Sequence, residues 1–363
     1  MKTVLVFFGG QSVEHDVSII TGVMTLNSVD KQKYSALPVY VSKSGEWLYG
    51  KNLYDIDEYK NLKQEKLSRV TLIGNRLYRI KGKRVYKLAD VALAINCMHG
   101  ERGEDGSLAG LLNMCGVPLA SPDILGSSVA MDKIFTKKVA KAIKVKTLPF
   151  VTVDSATDLD KKTKGMPFPI IVKPNRLGSS IGINRAENIN DLEKAVNYAL
   201  RFGETVLLEP CLDDFIEINC SAYARADGSI RVSECERPVG REKVLSFDDK
   251  YRSGKRVFPA DIDQKIAEEI KDYTRKIYNE LCMRGVIRID YFVVGGKVYL
   301  NEINTVPGSL AYYLYCDTLK EFGNMLDELF ESALKKGANQ QTFQTEFSTG
   351  ILSFNGGKSA KRL

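Results

Sequence analysis

The sequence contains few of the side chains that build disulfide frameworks or zinc sites. It has only two histidines, His15 and His99, and its seven cysteines occur singly, without any Cys-x-x-Cys pair. Scattered cysteines in odd number argue against a disulfide framework and indicate a reduced, cytoplasmic protein. With so few imidazole and paired thiolate ligands, any metal bound by this chain is expected to have oxygen ligands.

The sequence also lacks internal repeats and long apolar runs. No apolar stretch is long enough to cross a bilayer. The run Val4–Phe8 is too short for a signal peptide, and charged residues follow soon after it, so it predicts a buried first strand. We therefore expect neither a targeting segment nor a membrane partner.

The composition is that of an ordinary globular protein with a basic balance. With 363 residues, of which 44% are hydrophobic and 27% charged, the chain is expected to form two or three domains. The net charge of +7 favours an anionic ligand, which leaves a nucleotide and a nucleic acid as alternatives. The densest basic run follows a helical pattern without aromatic residues between its lysines, so it predicts a solvated helix face. Its members are Lys137, Lys138, Lys141, Lys144 and Lys146.

The first third of the chain alternates strands and a helix. Strands are predicted at 3–8, at 37–42 and within 90–98, and a helix is predicted at 16–29. This alternation indicates an open parallel sheet. Residues 45–88 form a polar, turn-rich insertion in which short antiparallel strands are predicted.

Strands and helices continue to alternate to the end of the chain, which indicates a mixed α/β (α+β) protein. We predict a first domain at 1–121, a central unit at 122–212 and a C-terminal unit at 213–345. The C-terminal unit contains a predicted β-hairpin at 286–303, and the tail at 346–363 is expected to be disordered.

A glycine-serine loop follows a lysine at the end of a predicted strand. Lys173 ends the strand, and Gly178, Ser180 and Gly182 lie in the loop. Glycines let backbone N–H groups approach phosphate oxygens, and a lysine adds positive charge, so a phosphate site and an ordinary turn are the two readings. The loop also matches Gly-x-Ser-x-Gly, but a serine hydrolase needs a histidine after the serine, and none follows His99.

Four polar residues lie on the predicted hairpin. Arg288 and Asp290 are two residues apart, as are Glu302 and Asn304, so each pair lies on one strand face. If the pairs share a face, three oxygen-bearing side chains converge beside an arginine, which suits Mg²⁺. The alternative is a surface salt-bridge cluster, which the apolar residues around the pairs disfavour because unpaired buried carboxylates are costly.

The turn decides whether the two pairs share a face. A two-residue turn at 295–296 would place Glu302 on the face opposite Asp290, whereas a three-residue loop at 294–296 would align all four residues. We predict the odd-length loop or an equivalent bulge.

Two loops at predicted strand ends carry further polar residues. Residues 99–106 are rich in glycine and charge, which favours a functional loop, with a structural role as the alternative for a lone His99. Glu104 and Asp105 are predicted to stand at the positive end of a helix. Residues 14–18 follow the first strand, where helix capping is the alternative to a binding role.

Taken in order, these motifs resemble those of the D-alanine–D-alanine ligase family, within the ATP-grasp superfamily. The match covers nearly the whole chain, and its segments are Glu14–Ser18, His99–Gly100, Gly103–Gly106, Met131–Lys133, Val172–Pro174, Gly178–Gly182, Asp249–Tyr251, Arg288–Asp290 and Glu302–Gly308. The resemblance implies an ATP-grasp fold with an N-terminal open parallel-sheet (preATP-grasp) domain. It also implies a homodimer that ligates two D-alanine molecules with ATP, through a D-alanyl phosphate, for peptidoglycan synthesis.

The resemblance further assigns roles to individual residues. ATP would lie between the central and C-terminal units, bound by Lys133, Lys173, Ser179, Ser180, Glu209, Glu217 and Lys250. Two Mg²⁺ ions, which Mn²⁺ can replace, would be held by Asp290, Glu302 and Asn304. The catalytic residues would be Glu14, Ser179, Tyr251, Arg288 and Gly308. The substrate-binding residues would be Glu14, His99, Ser309, Tyr313 and Leu314, and a mobile lid would span 237–256.

One segment departs from the family pattern. Where many members carry a polar stretch with a serine that binds the second substrate, this sequence has Ser309-Leu310-Ala311-Tyr312-Tyr313-Leu314, in which Ser309 or a tyrosine hydroxyl is expected to substitute. D-Ala–D-Ser and D-Ala–D-Lac ligation therefore stay open as alternatives, although Tyr251 favours D-alanine. A catalytically silent nucleotide-binding relative is a third alternative, and a nucleic-acid binder is the least favoured.

Overall fold

A computed structural model describes residues 1–178, 181–239 and 256–349 of the chain. The described residues form three larger sheets, a two-stranded ribbon and the helices that cover them. Some predicted features lie wholly or partly outside the described residues, namely Ser179, Ser180, Lys250, Tyr251, most of the lid and most of the tail. The predicted domain boundaries stay predictions.

The N-terminal part of the chain forms a seven-stranded sheet with two helices. Its elements are β1 (Lys2–Gly9), α1 (His15–Ser28), β2 (Tyr34–Val41), β3 (Trp47–Tyr49), β4 (Ser68–Ile73), β5 (Arg76–Lys81), β6 (Arg84–Asp90), β7 (Leu93–Asn96) and α2 (Ser107–Met114). The strand order is β6-β5-β4-β3-β2-β1-β7, in which β1 is parallel to β2 and β7 and the other pairs are antiparallel. The predicted insertion therefore extends the parallel sheet at one edge, and it includes β6, which the sequence did not predict.

The central part of the chain forms a smaller antiparallel sheet. Its elements are α3 (Ile124–Met131), α4 (Lys133–Ala142), β8 (Val151–Val153), α5 (Leu159–Lys162), β9 (Ile170–Pro174), β10 (Asn184–Ala186), α6 (Ile189–Ala199) and β11 (Val206–Pro210). The strand order is β10-β9-β11-β8. Helix α6 covers one face of this sheet, because its Leu192 and Val196 are buried in the same cluster as Ile170 and Val172 of β9.

The C-terminal part contains the predicted hairpin. Its elements are β12 (Ile216–Ala224), β13 (Ile230–Val232), β14 (Arg237–Pro238), β15 (Arg256–Val257), α7 (Gln264–Glu280), β16 (Val286–Val294), β17 (Lys297–Asn304), a 3₁₀ turn (Gly308–Leu314) and α8 (Leu319–Gln341). The main sheet has the order β13-β12-β16-β17, and β14 pairs with β15. Helix α7 packs on one face of the main sheet, where Ile270 and Ile277 join Ile289 and Tyr291 in one buried cluster.

Helix α8 and Gly285 are among the contacts that join the C-terminal part to the N-terminal part. Helix α8 packs on that sheet, with Phe322 and Phe330 in the same buried cluster as Val6 and Phe8 of β1. Gly285, just before β16, has a φ of 60°, and a Cβ there would lie 2.5 Å from the Cα of Ser121. The C-terminal sheet is thereby fixed against the end of the N-terminal part.

Helix α4 begins at a position set by its N-cap. The Oδ1 atom of Asp132 accepts a hydrogen bond from the Phe135 amide at 2.9 Å, and its Oδ2 atom accepts one from the Asn175 side chain at 2.8 Å. Lys133 is therefore the first residue of α4, next to the end of β9. No helix in the described part of the chain is both long and apolar enough to cross a bilayer.

A buried ion pair attaches α4 to the central sheet. Glu209 on β11 is 2% exposed and pairs with Lys137 of α4, which is equally buried, and with Lys173 of β9 at 2.7 Å. The prediction that Lys137 lies on a solvated helix face is wrong, although Lys138 and Lys141 on the same helix are exposed. The burial of Lys137 follows from its carboxylate partner, which lies far away in the sequence.

The two partners respond to burial in opposite ways. Burial acts to raise the pKa of Glu209, but the charges of Lys173 and Lys137 outweigh it and hold this pKa at about 2. Burial lowers the pKa of Lys137 in spite of Glu209. Since two lysines face one carboxylate, we take Glu209 to be ionised. Lys137 is then the counter-ion that stabilises the buried charge of Glu209.

Replacing Lys137 with methionine should lower the free energy of unfolding by about 3 kcal/mol, because Glu209 would keep only one of its two counter-ions. Lys141→Met, an exposed change on the same helix, should alter it by less than about 0.5 kcal/mol. Urea denaturation of the two variants and the parent measures the difference. Equal stabilities of the two variants would contradict a structural role for the buried pair.

Candidate active site

A cleft opens between the central sheet and the C-terminal sheet. It comprises about 790 Å³ of space, part of it open to solvent, and is lined by both polar and apolar side chains. Residues predicted to bind ATP or metal line it, namely Lys133, Lys173, Glu209, Glu217 and Glu302. The apolar lining includes Leu148, Ile171, Phe215 and Phe292.

The hairpin brings both polar pairs to one face by means of a bulge. Val294 pairs with Lys297 across a two-residue turn at 295–296, in which both glycines have positive φ, so the predicted three-residue loop is wrong. The register then shifts: Asp290 pairs with Glu302, but Tyr291 pairs with Leu300, which leaves Asn301 as an extra residue. The predicted alternative, an equivalent bulge, is confirmed.

Arg288 and Asp290 form the buried centre of this face. The guanidinium donates two hydrogen bonds to the carboxylate, at 2.8 and 2.9 Å, and Asp290 is fully buried. The side-chain amide of Asn304 donates a third, at 3.1 Å. Burial acts to lower the pKa of Arg288, but the charge of Asp290 reverses this effect and raises it well above its ordinary value.

Two lysines from the central part of the chain face the hairpin across the cleft. Lys173 Nζ lies 3.2 Å from Asn301 Oδ1, and Lys133 Nζ lies 3.9 Å from Glu302 Oε2. Lys133 also donates to the carbonyl of Leu177 at 2.7 Å, in the loop that follows β9. Positive and acidic groups predicted from separate segments are thus within reach of one another.

The hairpin residues fit a magnesium site in part. Within residues 1–178, 181–239 and 256–349, no three His, Cys, Asp or Glu side chains are grouped as metal ligands. Two carboxylates, Asp290 and Glu302, and the amide of Asn304 do share one face. Such a set offers only oxygen ligands and suits Mg²⁺, which keeps water and substrate phosphate in its coordination shell.

Glu14 lies where the N-terminal sheet meets the loop after β9. Its side chain is buried at the start of α1 but makes no capping hydrogen bond, so capping does not account for it. A Cβ on Gly100 would lie 3.0 Å from Glu14 Oε2, and one on Gly178 would lie 3.3 Å from the same atom. The carboxylate therefore sits between two glycines of different parts of the chain.

His99 is buried and neutral at physiological pH. Its Nε2 atom lies 3.0 Å from the hydroxyl of Thr21, which also accepts a hydrogen bond from the Ser309 amide at 3.1 Å. Burial lowers the pKa of His99 to about 4, and the positive charge of Arg288 also lowers it. A hydrogen bond with the backbone of Val306 acts to raise it. Through Thr21, His99 is connected to the predicted second-substrate segment.

Glu104 is a half-buried residue of the site to which the sequence analysis gave no binding role. The predicted role at the start of α2 is wrong for this residue, since its carboxylate accepts hydrogen bonds from the amides of Gly100 at 2.8 Å and Val306 at 3.0 Å. Burial raises the pKa of Glu104 to about 8, and the negative charges of Glu14 and Glu302 act in the same direction. The hydrogen bonds from Gly100 and Val306 act to lower it. The signals in the sequence were its place in a glycine-rich loop and in the Gly103–Gly106 segment of the family resemblance.

The segment that departs from the family pattern has an unusual backbone. Gly308 begins a 3₁₀ turn in which Ser309, Leu310 and Ala311 all have φ between 50° and 53°. Three successive non-glycine residues in the left-handed region are strained and persist only where their surroundings hold them. The side chain of Leu314 is buried in the core, so only its backbone could contact a substrate.

Tyr313 is held between two arginines. Arg288 Nη1 donates to its hydroxyl at 3.3 Å, and Arg256 lies 4.9 Å from its ring centre and donates to its carbonyl at 3.0 Å. Burial raises the pKa of Tyr313. A tyrosine hydroxyl thus lies beside the Arg288–Asp290 pair.

Comparisons with known proteins identify a family that matches most of the chain. Residues 3–122 match the family model described as D-ala D-ala ligase N-terminus, and residues 139–335 match the model described as D-ala D-ala ligase C-terminus. A D-alanine–D-alanine ligase of Thermosipho melanesiensis is 33% identical over 99% of this chain and 100% of its own length. The corresponding protein of Clostridium acetobutylicum is 30% identical over 92% of this chain and 98% of its own length.

Solved structures show the same likeness. The D-alanine–D-alanine ligase of Helicobacter pylori has a TM-score of 0.76 and 29% identity, covering 92% of this chain and 98% of its own. A D-Ala:D-Ser ligase of Enterococcus faecalis has a TM-score of 0.78 and 25% identity, covering 92% of this chain and 99% of its own. The chain therefore belongs to the D-alanine–D-alanine ligase family of ATP-dependent ligases and has the ATP-grasp fold.

Proposed function

We propose that this protein joins two D-alanine molecules at the expense of ATP, as a step of peptidoglycan precursor synthesis in the cytoplasm. The observation that carries the proposal is the face shared by Asp290, Glu302 and Asn304, which looks across one cleft at Lys133 and Lys173. Acidic and basic groups in this arrangement can grip a triphosphate together with its metal ions.

The chemistry needs no covalent bond to the protein. A carboxylate is a poor electrophile, so one carboxylate oxygen of the first D-alanine attacks the γ-phosphorus of ATP and ADP leaves. The amine of the second D-alanine then attacks the acyl carbon of the D-alanyl phosphate, and phosphate leaves as the amine loses a proton. Such a reaction depends on positioning and charge neutralisation.

ATP would occupy the cleft between the two sheets. Lys133 and Lys173 would contact its phosphates, Glu217 and Glu209 would line the adenine end, and the apolar lining would cover the base. Ser179, Ser180 and Lys250 are expected to complete the phosphate site. Because Glu209 is already bonded to Lys137 and Lys173, we expect it to orient Lys173 as well.

Two Mg²⁺ ions, which Mn²⁺ can replace, would be held by Asp290, Glu302 and Asn304. When bound, they would neutralise the phosphate charge and polarise its oxygens. Arg288 lies beside the same carboxylate and would stabilise charge that develops on the reacting oxygens, together with the backbone at Gly308. The arginine is held rigidly in advance, which lowers the cost of reorganisation during the reaction.

The first D-alanine would bind at the N-terminal end of the site. Its ammonium group would pair with Glu14, which Ser179 and Tyr251 are expected to join in a hydrogen-bonded triad. His99 stays neutral because its pKa is about 4, so it can orient the substrate without repelling the ammonium group. The nearby Glu104 adds hydrogen bonds that hold the Gly100 loop in place.

The second D-alanine would bind at the turn that begins at Gly308. Its carboxylate would accept hydrogen bonds from Arg288 and from the hydroxyl of Tyr313 or Ser309, with the backbone at Leu314 nearby. Tyr313 is the better candidate because its hydroxyl already contacts Arg288. A D-Ala:D-Ser ligase is among the similar structures, so D-Ser or D-lactate in place of the second D-alanine stays a candidate.

A panel of substrates tests the proposed activity. Protein, ATP and Mg²⁺ are incubated with D-alanine alone, or with D-alanine and D-serine or D-lactate, and the products are identified by mass spectrometry. We expect ADP and D-alanyl-D-alanine from D-alanine alone. ATP binding without ADP release from any mixture would contradict the proposal and favour the catalytically silent relative.

Glu302→Gln should lower turnover about a thousand-fold, because one of the two carboxylate charges that would hold the Mg²⁺ ions is lost and an amide binds these ions more weakly. Glu268→Gln, on the exposed side of α7 across the sheet, should leave turnover unchanged. Coupled ADP release at saturating Mg²⁺ measures both. Near-normal activity of the first variant would show that the metal assignment is wrong.

Tyr313→Phe should raise the KM for the second D-alanine about ten-fold, because one hydrogen bond to a charged carboxylate is lost. Tyr312→Phe is the matched control, since this neighbouring hydroxyl makes no hydrogen bond with any residue the structure describes. Initial rates over a wide range of D-alanine concentrations separate the two substrate sites. An unchanged KM at the second site would assign its carboxylate to another donor.

An exposed apolar patch supports the proposed homodimer. Leu111 and Met114 on α2 and Ile124 and Leu125 at the start of α3 are 40%, 92%, 47% and 58% exposed. A Cβ on Gly110 of α2 would lie 3.9 Å from Ile124 Cδ1, so the two helices present one surface. Adjoining apolar residues in this number are expected at an interface.

The variant Met114→Glu/Leu125→Glu should change the solution mass from that of a dimer to that of a monomer, since two charges would be buried in the interface. Ile73→Glu is the control, because Ile73 is 53% exposed on β4 and does not belong to the patch. Multi-angle light scattering measures the masses. A variant that keeps the dimer mass would exclude this patch as the interface.

A further inference from the structure

A second cavity lies behind the C-terminal sheet and shares no lining residue with the ATP cleft. It comprises about 870 Å³ of space, part of it open to solvent, between three elements. These elements are the turn between β12 and β13, the loop after α7 and the last third of α8. Nothing in the proposed ligation reaction uses it.

The cavity is lined by basic side chains. Four of its lining residues carry positive charge, namely Arg225, Arg284, Lys335 and Lys336. Asp227 is the one carboxylate among the lining residues, and it accepts hydrogen bonds from the amide and hydroxyl of Ser229 at 2.8 and 2.6 Å. The lining itself therefore carries four positive charges and one negative, and a positive excess, which favours an anion, remains after two of the cations pair with Asp123 and Glu328 at the rim.

Three of the four cations already have partners at the rim. Arg284 pairs with Asp123 at 3.2 Å, and Arg225 lies 3.5 Å from Glu328. Lys335 donates to the carbonyl of Ala226 at 3.0 Å. These contacts hold the side chains in place around the cavity.

Lys336 differs from the others because no acceptor in the described chain takes its charge directly. It is half-buried. Burial lowers its pKa and the positive charge of Arg284 lowers it further, whereas the negative charge of Asp123 acts to raise it. It forms no hydrogen bond or ion pair with any described residue. A half-buried ammonium group near a second cation would be stabilised by an anionic partner.

We propose that this cavity binds a small phosphorylated anion with at least two negative charges, held by Lys336, Arg284 and Lys335. Phosphate oxygens match ammonium and guanidinium donors. The cavity is concave, and its one aromatic lining residue, Tyr278, uses its hydroxyl to bond the Gly285 carbonyl at 2.7 Å. A nucleic acid would need stacking surfaces and an open groove, so a compact phosphate compound fits better.

Titration calorimetry with inorganic pyrophosphate, without Mg²⁺ and at low salt, tests the proposal on the full chain. The double variant Lys335→Ala/Lys336→Ala should weaken pyrophosphate binding at this site about ten-fold or more, because two charge-assisted contacts are lost. The double variant Lys265→Ala/Lys320→Ala is the matched control. It removes two exposed lysines from the first turns of α7 and α8, at the far ends of the helices that border the cavity.

Pyrophosphate that binds the ATP cleft is common to all these proteins, so only the difference between the two double variants reports on the cavity. Asp227→Asn is a second probe, because removal of the one lining carboxylate should tighten binding. Glucose 1-phosphate, titrated in parallel, separates a phosphate ester from a free polyphosphate as the preferred ligand. Equal affinities in both double variants, or equal losses in both, would overturn the proposal.

Discussion

One extra residue in β17 determines whether this chain has an acidic site at all. With the two-residue turn alone, Glu302 would point to the face that packs against α7, where a carboxylate among apolar side chains would be costly. Because Asn301 is bulged, Glu302 and Asn304 return to the face of Asp290, and Asn301 itself reaches Lys173. Bulges are known to re-aim side chains next to active sites in this way.

The two ends of the site suit different charges. Lys133 and Lys173 stand at the end that lines the cleft, beside the carboxylates of Glu302 and Glu209, whereas Glu14 is buried at the end formed by the N-terminal sheet, where the pKa of Glu104 is raised to about 8. A triphosphate needs cations, which the first end supplies, and an ammonium group needs a carboxylate, which Glu14 supplies at the second. The Arg288–Asp290 pair stands at the junction and keeps a full positive charge fixed there without leaving it unpaired.

Local periodicity was enough to predict the hairpin and to place each of its two polar pairs on one strand face, because alternation along a strand is a local property. It could not decide between a longer loop and a bulge, since Gly295-Gly296 suits a tight turn and the bulge depends on the packing of both sheet faces. The burial of Lys137 was missed for a similar reason: the partner that makes it tolerable, Glu209, is 72 residues away. Glu104 was assigned to a helix end because the sequence could not show that its carboxylate accepts a hydrogen bond from the amide of Val306, on a distant segment.

The left-handed turn at Ser309, Leu310 and Ala311 sets folding and substrate choice against each other. Each of these residues costs roughly 1–2 kcal/mol in backbone conformation. Glycine would relieve that cost at Ser309, which is not part of the buried core, whereas at Leu310 the loss of a buried side chain would cost more than the strain that is relieved. The burial of Leu310 and Ala311 in the main core suggests how the present compromise is kept: hydrophobic packing, rather than backbone preference, fixes the shape of the turn.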